Sequence, residues 1–139
     1  MIVLVGLPCS GKTTYVNKHF PKYRFHDDFI TDFYDGELLD DMKRGNRIVV
    51  VDPRLCRPET FRKYMSVFES YVDRKNILCI LFENDPCACE LNRIRGIEVG
   101  ASGQRPANVQ HTIIEYSKIY DLSEYTDYSH IVVPVYRSG

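Results

Sequence analysis

Four short apolar runs, Ile2–Val5, Ile48–Val51, Ile77–Phe82 and Ile131–Val135, recur along the chain with no polar alternation inside them. Runs of this length and continuity read as strands buried on both faces, as in a parallel sheet. A weaker run at Tyr23–Phe25 predicts a fifth strand. Helical patterns separate them: Lys12–Phe20, Glu37–Arg44 ending at Gly45, Glu59–Val72, Cys87–Ile94 after Pro86, and Val109–Tyr120. In the third of these, Phe61, Tyr64, Met65, Phe68 and Val72 share one face. In the last, Ile113, Tyr116, Ile119 and Tyr120 do. Strand and helix in alternation predict a doubly wound α/β sheet in one domain spanning residues 1–139. The stretch 96–106 carries Gly96, Gly100 and Gly103 and predicts a mobile surface loop.

Composition adds little to that picture but removes several classes. A chain of 139 residues with 44% hydrophobic and 27% charged residues suits a globular domain with a core of its own. No apolar run approaches the roughly 18–20 residues of a membrane span, and the start MIVLVGLP lacks a basic flank, so a cytoplasmic protein without membrane contact is expected. Five cysteines, an odd number, fit free thiols better than a disulfide framework, and the Cys87-x-Cys89 pair has no second pair at metal-site spacing. The net charge of −1 excludes a globally basic nucleic-acid binder. Charge is nevertheless segregated. Seven acidic and no Lys or Arg side chains lie between Asp27 and Asp41, whereas nine basic and four acidic ones lie between Lys43 and Lys75. A basic surface beside an acidic pocket suits a phosphate-bearing substrate.

Chemistry enters with GLPCSGKT, which fits G-x-x-x-x-G-K-[ST] at Gly6, Gly11, Lys12 and Thr13. It lies directly after an apolar strand and before a helix, where a phosphate-cradling loop has to be. Glycine lets successive N–H groups of Gly6, Pro8–Gly11 and the first helical turn (Lys12, Thr13, Thr14; Pro8 itself has no N–H) curl around an anion at a helix N-terminus. Lys12 reaches the β- and γ-phosphates of ATP, and the Thr13 hydroxyl is a ligand for Mg²⁺. A GTPase would need N-K-x-D, but the only Asn-Lys, Asn17-Lys18, continues His19-Phe20. A small kinase or an ATP-binding regulator remains.

A kinase acting on hydroxyls needs a carboxylate to take the acceptor's proton. FHDDF puts Asp27 and Asp28 just past the second strand, at the sheet edge where ligands bind. Together with IVVVDPRLCRPETFRKY and CELNRIRG, these motifs resemble the small P-loop kinases of the polynucleotide 5′-kinase type over about residues 1–121. The resemblance implies a three-layer sandwich with five parallel strands in the order 2-3-1-4-5 and helices on both faces. It implies Asp27 as general base, Asp52 as a strand-terminal carboxylate near Mg²⁺, and Arg93 and Arg95 in a lid at about 93–106 that grips the transferring phosphate. Arg105 is a further nucleotide contact. Where the family has an arginine three residues after the base, this chain has Ile30, so Arg54 or Arg57, with Asp28, is expected to meet the acceptor. The expected activity is ATP- and Mg²⁺-dependent phosphorylation of a hydroxyl on a nucleic acid or nucleotide, first of all a polynucleotide 5′-OH. A hydroxymethylated DNA base, a nucleoside, another small alcohol, or an ATP-binding regulator without turnover are the alternatives. No obligate protein partner is implied.

Overall fold

A computed structural model describes residues 1–97 and 106–137. Five strands, β1 (Ile2–Val5), β2 (Arg24–Asp27), β3 (Ile48–Val51), β4 (Leu78–Phe82) and β5 (His130–Val133), form one sheet in the order β2-β3-β1-β4-β5. Every neighbouring pair is parallel, with Val3 opposite both Val50 and Cys79. The helices are α1 (Lys12–His19), α2 (Leu38–Lys43), α3 (Pro58–Glu69), α4 (Pro86–Ile97) and α5 (Pro106–Ile119). Short 3₁₀ turns at Pro53–Cys56, Arg74–Asn76 and Leu122–Tyr125 complete the path.

Alternation along the strands assigns the two layers. Val3, Val5, Val50, Cys79 and Leu81 face a core that holds Phe61, Met65 and Phe68 of α3 and Ile113 of α5. Ile2, Leu4, Val49, Val51, Ile80 and Phe82 face the other side, where Val16 of α1 packs. The expected α/β sandwich, strand order and two-sided helices are therefore those observed. The central strands β1 and β3 are buried at every position, whereas the edge strands β2 and β5 are mostly exposed. Only β2 of the two edges carries a weak sequence signal; the apolar run of β5 reads as buried on both faces, and the structure corrects this, since β5 is an edge strand with one neighbour and is mostly exposed.

Boundaries differ from the sequence reading in places that matter. Strand β2 runs to Asp27, so Asp27 ends the strand instead of following it. Helix α4 begins at Pro86, where the Asp85 carboxylate accepts from the Ala88 N–H, and it extends to Ile97. The expected lid arginines Arg93 and Arg95 and the glycine Gly96 thus belong to a helix. Of the expected loop 96–106, residues 98–105, Arg105 among them, lie outside the described residues. No helix among the described residues is long and apolar enough to cross a membrane.

Candidate functional site

The β1–α1 connection sets the centre of the site. A side chain at Gly6 would put a Cβ 2.8 Å from Ser10 Oγ and 2.9 Å from Phe82 Cβ, closer than real Cβ contacts, so glycine is required for the close approach to β4. Gly11 caps α1 at φ +96°, and a Cβ there would lie 2.4 Å from the Tyr136 Cβ. Cys9 also has positive φ, +64°. Lys12, at the first position of α1, is folded back under the loop, its ammonium donating to the carbonyls of Gly6 and Leu7, both at 2.7 Å. Burial lowers its pKa, while the thiols of Cys56, Cys89 and Cys9 and the Asp27 carboxylate act in the opposite sense. Cys9, Ser10, Gly11, Lys12, Thr13 and Thr14 line a cavity of about 450 Å³. Gly6 and Pro8 do not line it: Gly6 lies beneath the loop as a carbonyl partner of Lys12.

The opposite wall of that cavity is α4. Arg95, Gly96 and Asn92 line it. Arg93 does not line it. Its guanidinium binds Glu90 one turn earlier, with Nε donating to Oε2 at 2.9 Å, and its side chain is 13% exposed. That hydrogen bond holds the Glu90 carboxyl below its usual range.

The carboxylates lie at the ends of β2 and β3. The Asp27 carboxylate accepts from the Asp28 N–H at 2.9 Å, and Asp28 has φ +48°, a left-handed conformation that Asp tolerates better than most residues. The Asp28 carboxyl is raised above its ordinary value by desolvation, then by the negative charges of Asp27 and Asp52; Arg54 and Lys12 oppose the rise. Asp27 also lines a smaller hollow of about 170 Å³ with His26, Asp32 and Glu37. His26 itself is turned toward α2. Its Nε2 lies 2.7 Å from the Asp41 carboxylate, which also accepts from Arg24 Nε and Asn46 Nδ2. Burial pushes the Asp41 carboxyl up, but hydrogen bonds from Arg24, Asn46 and His26 outweigh it and pull it down to about 2.

Asp52, expected near magnesium, sits inside a ring of protein donors. It is wholly buried, and both oxygens are occupied: Oδ1 accepts from Arg54 N and Nε at 2.9 Å, Oδ2 from Arg54 Nη2 at 2.8 Å and Ile30 N at 3.2 Å. It braces the end of β3 against the loop after Asp28. Arg54, expected at the acceptor, is consequently half of an ion pair, with Nη2 also donating to Thr31 Oγ1 at 2.8 Å. Arg57 is exposed, its guanidinium 5.5 Å from the centre of the Tyr116 ring. Among the described residues no group of three or more His, Cys, Asp or Glu side chains could hold a metal ion. A magnesium ion that arrives with a nucleotide needs few protein ligands, and the exposed Thr13 hydroxyl on the cavity wall fits that need.

Comparison with known proteins adds a relative but no activity. No family model matches the chain. An uncharacterized protein of Acanthamoeba polyphaga mimivirus is 29% identical over 140 residues, covering 99% of this chain and 97% of that protein.

Two residues absent from the sequence reading complete the site. Asn92 donates from Nδ2 to the carbonyls of Cys9, at 3.0 Å, and Tyr136, at 2.5 Å. The Tyr136 N–H in turn donates to the Ser10 carbonyl at 2.9 Å. Neither residue has a local signature, because each is defined by where the chain after β5 returns.

Proposed function

We propose that this chain is an ATP- and Mg²⁺-dependent kinase that transfers the γ-phosphate to an alcohol, with Asp27 as the base. One observation carries the reading. The glycine loop, with the buried Lys12 on its inner carbonyls, follows the C-terminal end of β1, and the Asp27–Asp28 pair stands at the C-terminal end of β2 in the same parallel sheet. A pure nucleotide binder has no need of the carboxylates.

In this reading the backbone of residues 9–14 holds the triphosphate at the N-terminus of α1. Lys12 exchanges its two carbonyl partners for phosphate oxygens, and Arg95 answers charge on the transferring group from the facing wall. Magnesium, held by Thr13, supplies charge neutralisation on the phosphates. Asp27 receives the hydroxyl proton, while Asp28, with its raised pKa, adds less negative charge beside the incoming phosphate than a second ionised carboxylate would. The Asp52–Arg54 pair fixes the loop that follows them at Ile30 and Thr31.

The acceptor first in line is a polynucleotide 5′-OH. Arg57, exposed beside Tyr116 at the same sheet edge, supports it as a contact for an acceptor phosphate or base. A second reading, a small uncharged or amine-bearing alcohol, is favoured by the acidic lining of the hollow beside Asp27. Transfer of labelled γ-phosphate to 5′-hydroxyl oligonucleotides, nucleosides and small alcohols tests both. Asp27→Asn is expected to lower transfer about 10²–10⁴-fold with ATP affinity retained. Full transfer activity in that variant would remove Asp27 as the base, and no transfer to any hydroxyl by the wild type would refute the kinase reading.

A further inference from the structure

The carbonyls of Cys9 and Ser10 are consecutive in the glycine loop, and both receive hydrogen bonds from outside it. Cys9 takes one from Asn92 of α4, and Ser10 takes one from the Tyr136 N–H in the segment 134–137 after β5. Asn92 closes the ring by giving its other amide hydrogen to the Tyr136 carbonyl. A side-chain amide has two N–H donors, and here they hold two chain segments far apart in sequence. The far end of the segment is fastened as well, Arg137 Nη2 donating at 2.8 Å to Asp85, the residue that caps α4.

This ring bears on the loop's least favourable feature. Cys9 has φ +64°, which a side chain with a Cβ seldom adopts and which surrounding structure has to enforce. The Ser10 N–H between the two carbonyls is itself held by the Leu7 carbonyl at 3.2 Å, so the turn is fixed from both its inner and its outer side. Lys12 cannot supply this restraint, because its ammonium binds the carbonyls of Gly6 and Leu7 on the inner side.

We infer that Asn92 is a positioning residue for nucleotide binding, acting through the Cys9 carbonyl to keep the loop in its anion-binding form. The inference rests on the reading of GLPCSGKT as a phosphate cradle. Helix α4, which presents Arg95 to the same cavity, thereby also sets the loop's geometry, and the two walls are tied by one amide.

The test uses Asn92→Leu, which keeps the size and removes both donors, Asn92→Asp, which sets a carboxylate against two carbonyls, and Asn92→Gln, which restores the amide on a longer stem. Two readouts are taken on the full chain: affinity for Mg·ATP, and the rate at which iodoacetamide alkylates Cys9, resolved by peptide mass spectrometry. Losing two hydrogen bonds is expected to weaken Mg·ATP about tenfold in the Leu variant, more in Asp and less in Gln. Cys9, half-buried with a thiol pushed up chiefly by burial, should alkylate about tenfold faster, while the buried Cys56 and Cys89 stay protected. Unchanged Cys9 alkylation and Mg·ATP affinity in folded variants would overturn the inference. Equal loss in Gln and Leu would also overturn it, since bulk and not the amide would then be at work. If Leu and Asp do not fold, Asn92→Ala takes their place as the variant without an amide, read by the same two measurements against Gln. A wild-type chain that binds no Mg·ATP would instead overturn the proposed function and the ligand side of this inference, with the alkylation rates still judging whether Asn92 holds the loop.

Discussion

Asp52→Asn separates a brace from a metal ligand at a single atom. The amide can still accept at Oδ1 from Arg54 N and Nε, but its NH₂ replaces the oxygen that accepts from Arg54 Nη2 and Ile30 N. Two donors would then face a donor inside a residue with no solvent exposure. Hydrogen bonds to a charged group are worth about 1.5–3 kcal/mol each. Arg54 is 38% exposed and can recover part of its loss in water, which brings the expected cost to about 2–4 kcal/mol. For a domain of this size that corresponds to a fall in Tm of about 6–15 °C. The assay is a thermal melt at pH 7, paired with a magnesium titration of phosphate transfer. A brace lowers Tm and leaves the magnesium midpoint near wild type; a ligand shifts the midpoint and leaves Tm. A midpoint raised tenfold with unchanged Tm would refute the bracing argument and restore the metal role read from the sequence.

Three further outcomes follow from the same geometry. Lys12→Ala should fold and lose ATP turnover, since the loop is shaped by Gly6, Gly11 and its outer hydrogen bonds; a folded variant that turns over ATP normally would contradict the site. Asp41 has a depressed pKa, so its stabilisation is present above its unfolded value of 3.8 and is lost as pH falls through about 2. Asp41→Asn should therefore cost about 2 kcal/mol at pH 7 and almost nothing near pH 2, read from denaturant melts at the two pH values. Asp28 has a raised pKa, so its folded form holds the proton more tightly and stability falls as pH rises from 3.8 through the raised value. Asp28→Asn, which keeps the left-handed backbone accessible, should raise Tm at pH 7, with the gain gone below pH 3.8; a loss at pH 7 would show that the carboxylate is needed for the turn.

What the sequence disclosed follows from how local each feature is. IVLV and IVVV could be read as central strands because burial on both faces leaves no polar position to confuse the period. The glycine loop was readable because close approach to β4 and a left-handed helix cap each demand glycine at a fixed place. Strand β2 ends two residues beyond the apolar run Tyr23–Phe25, because RFHD is an exposed edge whose polarity follows from Asp41 and solvent, and not from strand periodicity. The ion pair of Asp52 is not legible in the sequence, because a carboxylate ending a strand looks the same whether its partner is an ion or Arg54 two residues on. Asn92 and Tyr136 were invisible for a different reason. Their partners are backbone carbonyls, which every sequence carries everywhere, and only the return of the chain past β5 selects which ones.

The strand order also governs how the chain can fold. Strand β1 lies at the centre, yet its two neighbours, β3 and β4, come much later in the chain. During synthesis IVLV keeps one apolar edge unpaired, even after β3 has emerged, until Phe82 has cleared the ribosome and the ladder with β4 can close. Closing distant parallel ladders costs loop entropy before it returns contacts, which slows folding and lengthens the exposure of that segment. The loop that follows β1 is held by residues as late as Tyr136, so a nascent chain completes this candidate site last, after the sheet is formed.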